Sequence, residues 1–188
     1  GGSNVVDPAQ CRELADPSRT MLGAAQEAWF DAGLAASRAK WNLVVQQTMV
    51  AQFDQQPGAG RRAWTDSWDG YPAARRRMLE TVRDRKSSNP VFLGGDVHMF
   101  YVTDLKTDFD DAASPAVATE FVGTSVTSQS WPQERIDGFL PDNPHVRHAD
   151  ARHRGYVRFE LTPKTLRAEL HGLELQGSLK DRAANPPP

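Results

Sequence analysis

The sequence has little that would tie it together covalently or draw it to a charged partner. One cysteine, Cys11, in 188 residues excludes an internal disulfide framework and a zinc site built from cysteines alone. No apolar run approaches the ~20 residues of a membrane-spanning helix. The chain opens Gly1-Gly2-Ser3 and shows no basic-then-apolar export pattern. That opening is expected of a processed end or of an internal piece of a longer protein. Charge is nearly balanced, with 22 basic and 24 acidic residues and a net charge of −2. The balance argues against a nucleic-acid domain held by bulk positive charge. What is present suits a folded domain: 39% hydrophobic and 24% charged residues, in a chain able to bury roughly two thirds of its unfolded surface.

Residues 1–20 carry Pro8 and Pro17 and little periodicity, so they read as an extended lead-in. From Met21 to Ala39 the pattern is helical, with Leu22, Ala25, Trp29, Ala32 and Ala36 near 3–4 spacing and Glu27 and Asp31 on other faces. The run 41–46 is apolar and rich in β-formers, and predicts a buried strand. A polar loop follows to Gly60. The aromatic and acidic stretch 64–71 predicts an ordered loop. Pro72 is well placed to open a second helix running to about Lys86, with Asp69 or Tyr71 near its cap. Met78, Leu79 and Val82 form its inner face, and Arg75, Arg76, Arg83 and Arg85 lie mostly outside. Strands are expected at 91–93, 99–105 and 117–122. Residues 123–153 are rich in turn formers. Residues 156–161 and 166–171 alternate cleanly around a turn at 162–164, which predicts a hairpin. The tail from 177 ends in three prolines and is expected to be flexible. The order is helix, strand, helix, strand, then antiparallel strands, an α/β class.

The stretch most informative for chemistry is Val91-Phe92-Leu93-Gly94-Gly95-Asp96-Val97-His98. A buried strand ends at a diglycine, and a carboxylate and an imidazole follow at i and i+2. Ligands in open α/β sheets bind beyond the carboxyl ends of strands. Glycine there permits a sharp turn or close approach of a ligand. In extended backbone, a spacing of two places both side chains on one side, where they could hold a cation. The plainer alternative is a turn-capping Asp and a structural His.

A longer series then narrows the choice. It runs Leu22-Gly23 with Gln26-Glu27-Ala28-Trp29; Trp41-Asn42 with Gln46-Gln47; Asp66 to Tyr71 with Arg75; and Gly95-Asp96-Val97-His98. It continues with Ala118 to Val122 plus Thr124-Ser125 and Thr127-Ser128; Asn143-Pro144-His145; and Arg154-Gly155-Tyr156. In this order the blocks resemble PhoD-type alkaline phosphatases over about residues 20–160. The resemblance implies part of a metallophosphoesterase-like αββα sandwich, with residues 21–176 as the carboxy-terminal half of the phosphatase domain. It implies a secreted or periplasmic phosphomonoesterase and phosphodiesterase using iron and calcium and a metal-bound hydroxide. Asp96 and His98 match the family's last metal-binding motif. Gln46 and Gln47 fall where classical metallophosphoesterases carry a ligating His, so Gln47 is taken as lining the site. The family's other ligands belong to an amino-terminal half. Cys11 lacks their Asp-x-Cys context, because Ala9 stands two before it.

Two donors cannot hold two metals. Zinc takes about four ligands and calcium about six to eight. The isolated chain is therefore expected to be inactive and to need the amino-terminal half or a complementing chain. Asp69, Tyr71 and Arg154 are further candidates for lining the site, and Asp66 accompanies Asp69. His145, His148 and His153 look like a metal cluster in sequence, but a loop role is the stronger reading. Arg75-Arg76-Arg77 reads as a solvated face. The rival reading is a non-catalytic module or assembly subunit, possible as a homo-oligomer, whose sheet exposes an edge or apolar face to a partner chain.

Overall fold

The strand expected at Val91, Phe92 and Leu93 is the second of five in one mixed sheet. The computed structural model describes residues 4–173. In chain order the elements are β1 (Val5–Val6), α1 (Ala24–Ala36), β2 (Asn42–Val45), β3 (Ala63–Trp64), α2 (Pro72–Asp84), β4 (Pro90–Gly94) and β5 (Phe100–Lys106). Then come β6 (Ala116–Val122), α3 (Gln133–Phe139), β7 (Val146–Asp150), β8 (Arg154–Leu161) and β9 (Leu166–Leu173). The sheet order is β2-β4-β6-β5-β7. β2, β4 and β6 are parallel, and β5 runs antiparallel to β6 and β7. β8 and β9 form a separate hairpin. The class is α/β, as the element order implies.

Register divides the sheet into two faces. Val44, Phe92, Glu120 and Thr103 share one row and one side. The apolar members of that side pack with Met78, Leu79 and Val82 of α2 into the core. Three such side chains contribute roughly 1.5–3 kcal/mol each when fully buried. Leu43, Val45, Leu93 and Phe121 occupy the opposite side. The hairpin lies against part of it: Phe159 meets Phe121 edge-on, with ring centroids 5.5 Å apart. The Trp41 indole N–H donates to the Thr162 carbonyl at the hairpin turn, at 2.9 Å.

Several expectations change here. β2 is an edge strand rather than a buried one, and Val45 is 77% exposed. A short run such as Leu43-Val44-Val45 reads the same whether one face or both are covered. α1 turns Phe30 and Leu34 toward the core and leaves Trp29 71% exposed. Glu27 and Asp31 lie on that inner side, paired with Arg77 and Arg85 of α2. Alanines fit either stripe, so charge pairing to α2 sets the rotation. Arg75 is buried instead of solvated. The lead-in is docked by pairing of β1 with β3. The turn-rich stretch 123–153 contains α3 and β7, two elements too short to show a period. The proline tail lies outside the described residues.

The diglycine has a packing reason. A Cβ at Gly94 would stand 2.6 Å from the Thr48 carbonyl oxygen. The Gly95 N–H donates to the Gln47 carbonyl at 3.1 Å. Glycine thus lets the chain leaving β2 close over the end of β4.

Candidate functional site

The turn after β4 is not extended. Asp96 has φ 71° and His98 φ 59°, both left-handed, a region in which Asp and His are several-fold enriched among non-glycine residues. Such conformations cost of order 1–3 kcal/mol and cluster at functional sites. The i, i+2 argument from extended backbone therefore does not apply. The turn nevertheless brings both side chains to the wall of one cavity of about 450 Å³.

His98 is held from behind. Its carbonyl accepts from the Arg154 guanidinium at 2.8 Å and from the Thr124 hydroxyl at 3.1 Å. Its Nδ1 lies 3.1 Å from the Gln129 carbonyl. A carbonyl can only accept, so Nδ1 carries the proton and the neutral ring keeps its lone pair on Nε2. That is the tautomer a metal-binding histidine needs, with orientation supplied by the second bond.

The other candidates part company. Asp66 lines the same cavity and is exposed. Asp69 is in its wall, but its carboxylate is engaged: one oxygen pairs with buried Arg75 and the other accepts from the Phe53 N–H at 2.9 Å. Tyr71 stands outside, beneath the Arg19 guanidinium at 4.8 Å. Gln47 is exposed and is not in the lining. Its neighbour Gln46 accepts from the Trp68 indole at 3.1 Å. Arg154 is buried, and beyond His98 it donates to the carbonyls of Ser128 at 2.7 Å and Ala151 at 2.6 Å. It braces the loops around the cavity and does not line it. His145 bonds the Gln52 carbonyl at 2.6 Å, His148 is exposed, and His153 pairs with Asp150 at 2.6 Å. Burial pulls the His145 ring pKa down, which keeps it neutral.

Sequence reasoning missed the opposite wall. Met49, Ala51 and Phe53 come from the segment after β2, read above as a polar loop; Trp131 comes from the turn-rich stretch. The signal present was the apolar cluster 49–53 itself.

Asp96 and His98 suit a metal in donor type, one hard oxygen and one imidazole nitrogen. Among the described residues, no three His, Cys, Asp or Glu side chains come together as a metal site. The donor set therefore fits part of a centre and not a whole one.

Comparison with known proteins bears on the rest. The model of the PhoD-like phosphatase family matches residues 2–170. Alkaline phosphatase D of Bacillus subtilis (strain 168) is 38% identical over 160 residues, which is 84% of this chain and 27% of that protein. A solved structure described as the structure of PhoD superposes with a TM-score of 0.79 at 32% identity, over 90% of this chain and 33% of that one. The chain thus spans about a quarter to a third of the length of these relatives. A fold and a sequence that agree over nearly all of residues 2–170 place this chain in the PhoD-like phosphatase family.

Proposed function

We propose that this chain is the part of a metal-dependent phosphoesterase that contributes Asp96 and His98, together with one wall of the cavity they face. The observation that carries the proposal is their convergence on one cavity with His98 Nε2 left unbonded by the Gln129 contact. The substrates are phosphomonoesters and phosphodiesters, the metals iron and calcium, and the setting periplasmic or secreted. These assignments rest on the family resemblance; the structure adds that no described helix is long and apolar enough to cross a membrane. When bound, a dimetal centre supplies Lewis acidity toward the phosphoryl oxygens. This chain's own residues orient the imidazole, through Gln129, Thr124 and Arg154, and shape the cavity beside it.

The remaining donors come from an amino-terminal half or a complementing chain, since no third His, Cys, Asp or Glu joins Asp96 and His98 as a metal site among the described residues. The sandwich of the family fold would then be completed over the exposed Leu43 and Val45 part of that side of the sheet, beside the hairpin that packs on Phe121. That uncovered face also favours a second reading, a non-catalytic module that requires a partner chain. The expected result for the purified 188-residue chain is no release of phosphate from an aryl phosphate with iron and calcium added. Release restored by an amino-terminal half supports the phosphoesterase reading. Release by the chain alone overturns the claim of shared donors. Homo-oligomers in light scattering, with no activity on mixing, favour the module.

A further inference from the structure

Glu120 is a carboxylic acid in the middle of the core, and nothing above uses it. It lies on β6 with no exposed surface. Its Oε1 accepts from the Val50 N–H at 2.7 Å, and its Oε2 accepts from the Ala51 N–H at 3.0 Å and the Thr103 hydroxyl at 3.2 Å. The backbone it grips is the cavity wall, since Met49, Ala51 and Phe53 line the cavity. The rest of that segment is held by other buried side chains. His145 lies on the Gln52 carbonyl, Asp69 accepts from the Phe53 N–H, and Asn143 bonds both backbone polar groups of Asp54. Glu120 is the clasp among these that holds two consecutive backbone N–H groups of the wall. A carboxylate accepts at both oxygens, whereas a carboxylic acid turns one of them into a donor. Facing an N–H on each side, the acid keeps one full acceptor while its hydroxyl oxygen accepts only weakly, so one of the two backbone bonds is loosened.

We propose that Glu120 is a positioning residue for the cavity: its ionised form holds Val50 and Ala51 together, and through them the wall of Met49, Ala51 and Phe53. Its catalytic consequence rests on reading this cavity as the phosphoesterase site; the clasp itself does not.

The charged and titratable surroundings are few. Arg75 of α2 favours the carboxylate, and Asp69 pairs with Arg75. His145 is kept neutral by burial, and burial also raises the Tyr101 phenol on β5, so it stays protonated. Burial dominates at Glu120 and outweighs the three hydrogen bonds and Arg75, raising its pKa from 4.5 to about 7. The neutral acid therefore adds stability that is fully present below pH 4.5 and lost as pH rises through about 7. The gripped form of the wall belongs to the alkaline side.

Solution NMR of the 188-residue chain tests this directly. The Glu120 side-chain carboxyl carbon and the Val50 and Ala51 amides are expected to titrate together, with a midpoint near 7. In Glu120→Gln the two amides lose that titration. Amides that stay still while the carboxyl titrates overturn the clasp, without any variant having to fold. In a chain extended to its relatives' length, Glu120→Gln should remove the limb near pH 7 from the kcat/KM profile. A limb that persists refutes the positioning role. An extended chain with no phosphatase activity counts against the proposed function alone, because the titration stands apart from it.

Discussion

His98→Ala, in a form of this chain extended to the length of its relatives, is expected to lower phosphate release by more than about a hundredfold. Loss of a residue that merely orients a ligand costs 10- to 100-fold in metal affinity or activity, and His98 is proposed as a ligand itself. Its Nδ1 proton is committed to the Gln129 carbonyl and its own carbonyl to Arg154 and Thr124. Such a ring is aimed before any metal arrives. Asp96→Ala should behave alike. Gln47→Ala, at an exposed position outside the cavity lining, should leave the rate near that of the parent. Steady-state release from an aryl phosphate measures all three. Equal, small losses for His98 and Gln47 would remove the site from the turn after β4.

Arg75→Ala is expected to destabilise the chain by about 3–5 kcal/mol, the range for breaking a buried ion pair on one side. Arg75 and Asp69 are both nearly inaccessible, with side chains 5% and 7% exposed. The guanidinium also reaches the Val50 carbonyl at 3.4 Å and the Gln52 side chain at 3.3 Å, and sits 5.1 Å from the Phe109 ring centroid. Its removal leaves a carboxylate stranded beside the cavity wall. The double replacement Asp69→Asn with Arg75→Met removes both charges and should cost clearly less, because no lone charge remains buried. Urea unfolding with tryptophan fluorescence reads both. A single substitution that costs no more than the double one would show that the pair is not the organising contact.

Much of the framework was legible because it follows simple periods. The β8–β9 hairpin and the inner face of α2 show alternation or 3–4 spacing; α2 has one buried side and β8 alternates half-buried Val157 and Phe159 with exposed neighbours. The strand before the diglycine was legible as a short apolar run closed by glycines. The resemblance singled out Asp96 and His98, yet the backbone that serves them is left-handed at both residues, which spacing alone cannot show. Other features depend on partners distant in sequence. Arg75 looks like one of three surface arginines until Asp69 is folded against it. Arg154 looks like a phosphate hook until its donors are counted onto three carbonyls. Glu120 did carry a trace: it falls between Ala118 and Val122 in the buried register of β6, where an acid needs partners. Those partners, the Val50 and Ala51 amides, lie about seventy residues away.

The most direct measurement is anomalous diffraction from metal-loaded crystals of the chain extended to its relatives' length. The account predicts metal density about 2 Å from His98 Nε2 and from an Asp96 carboxylate oxygen, in the cavity walled by Met49 and Phe53, with further donors from residues beyond these 188. Metal bound elsewhere, with the Asp96 and His98 side chains turned away from it, would contradict the account.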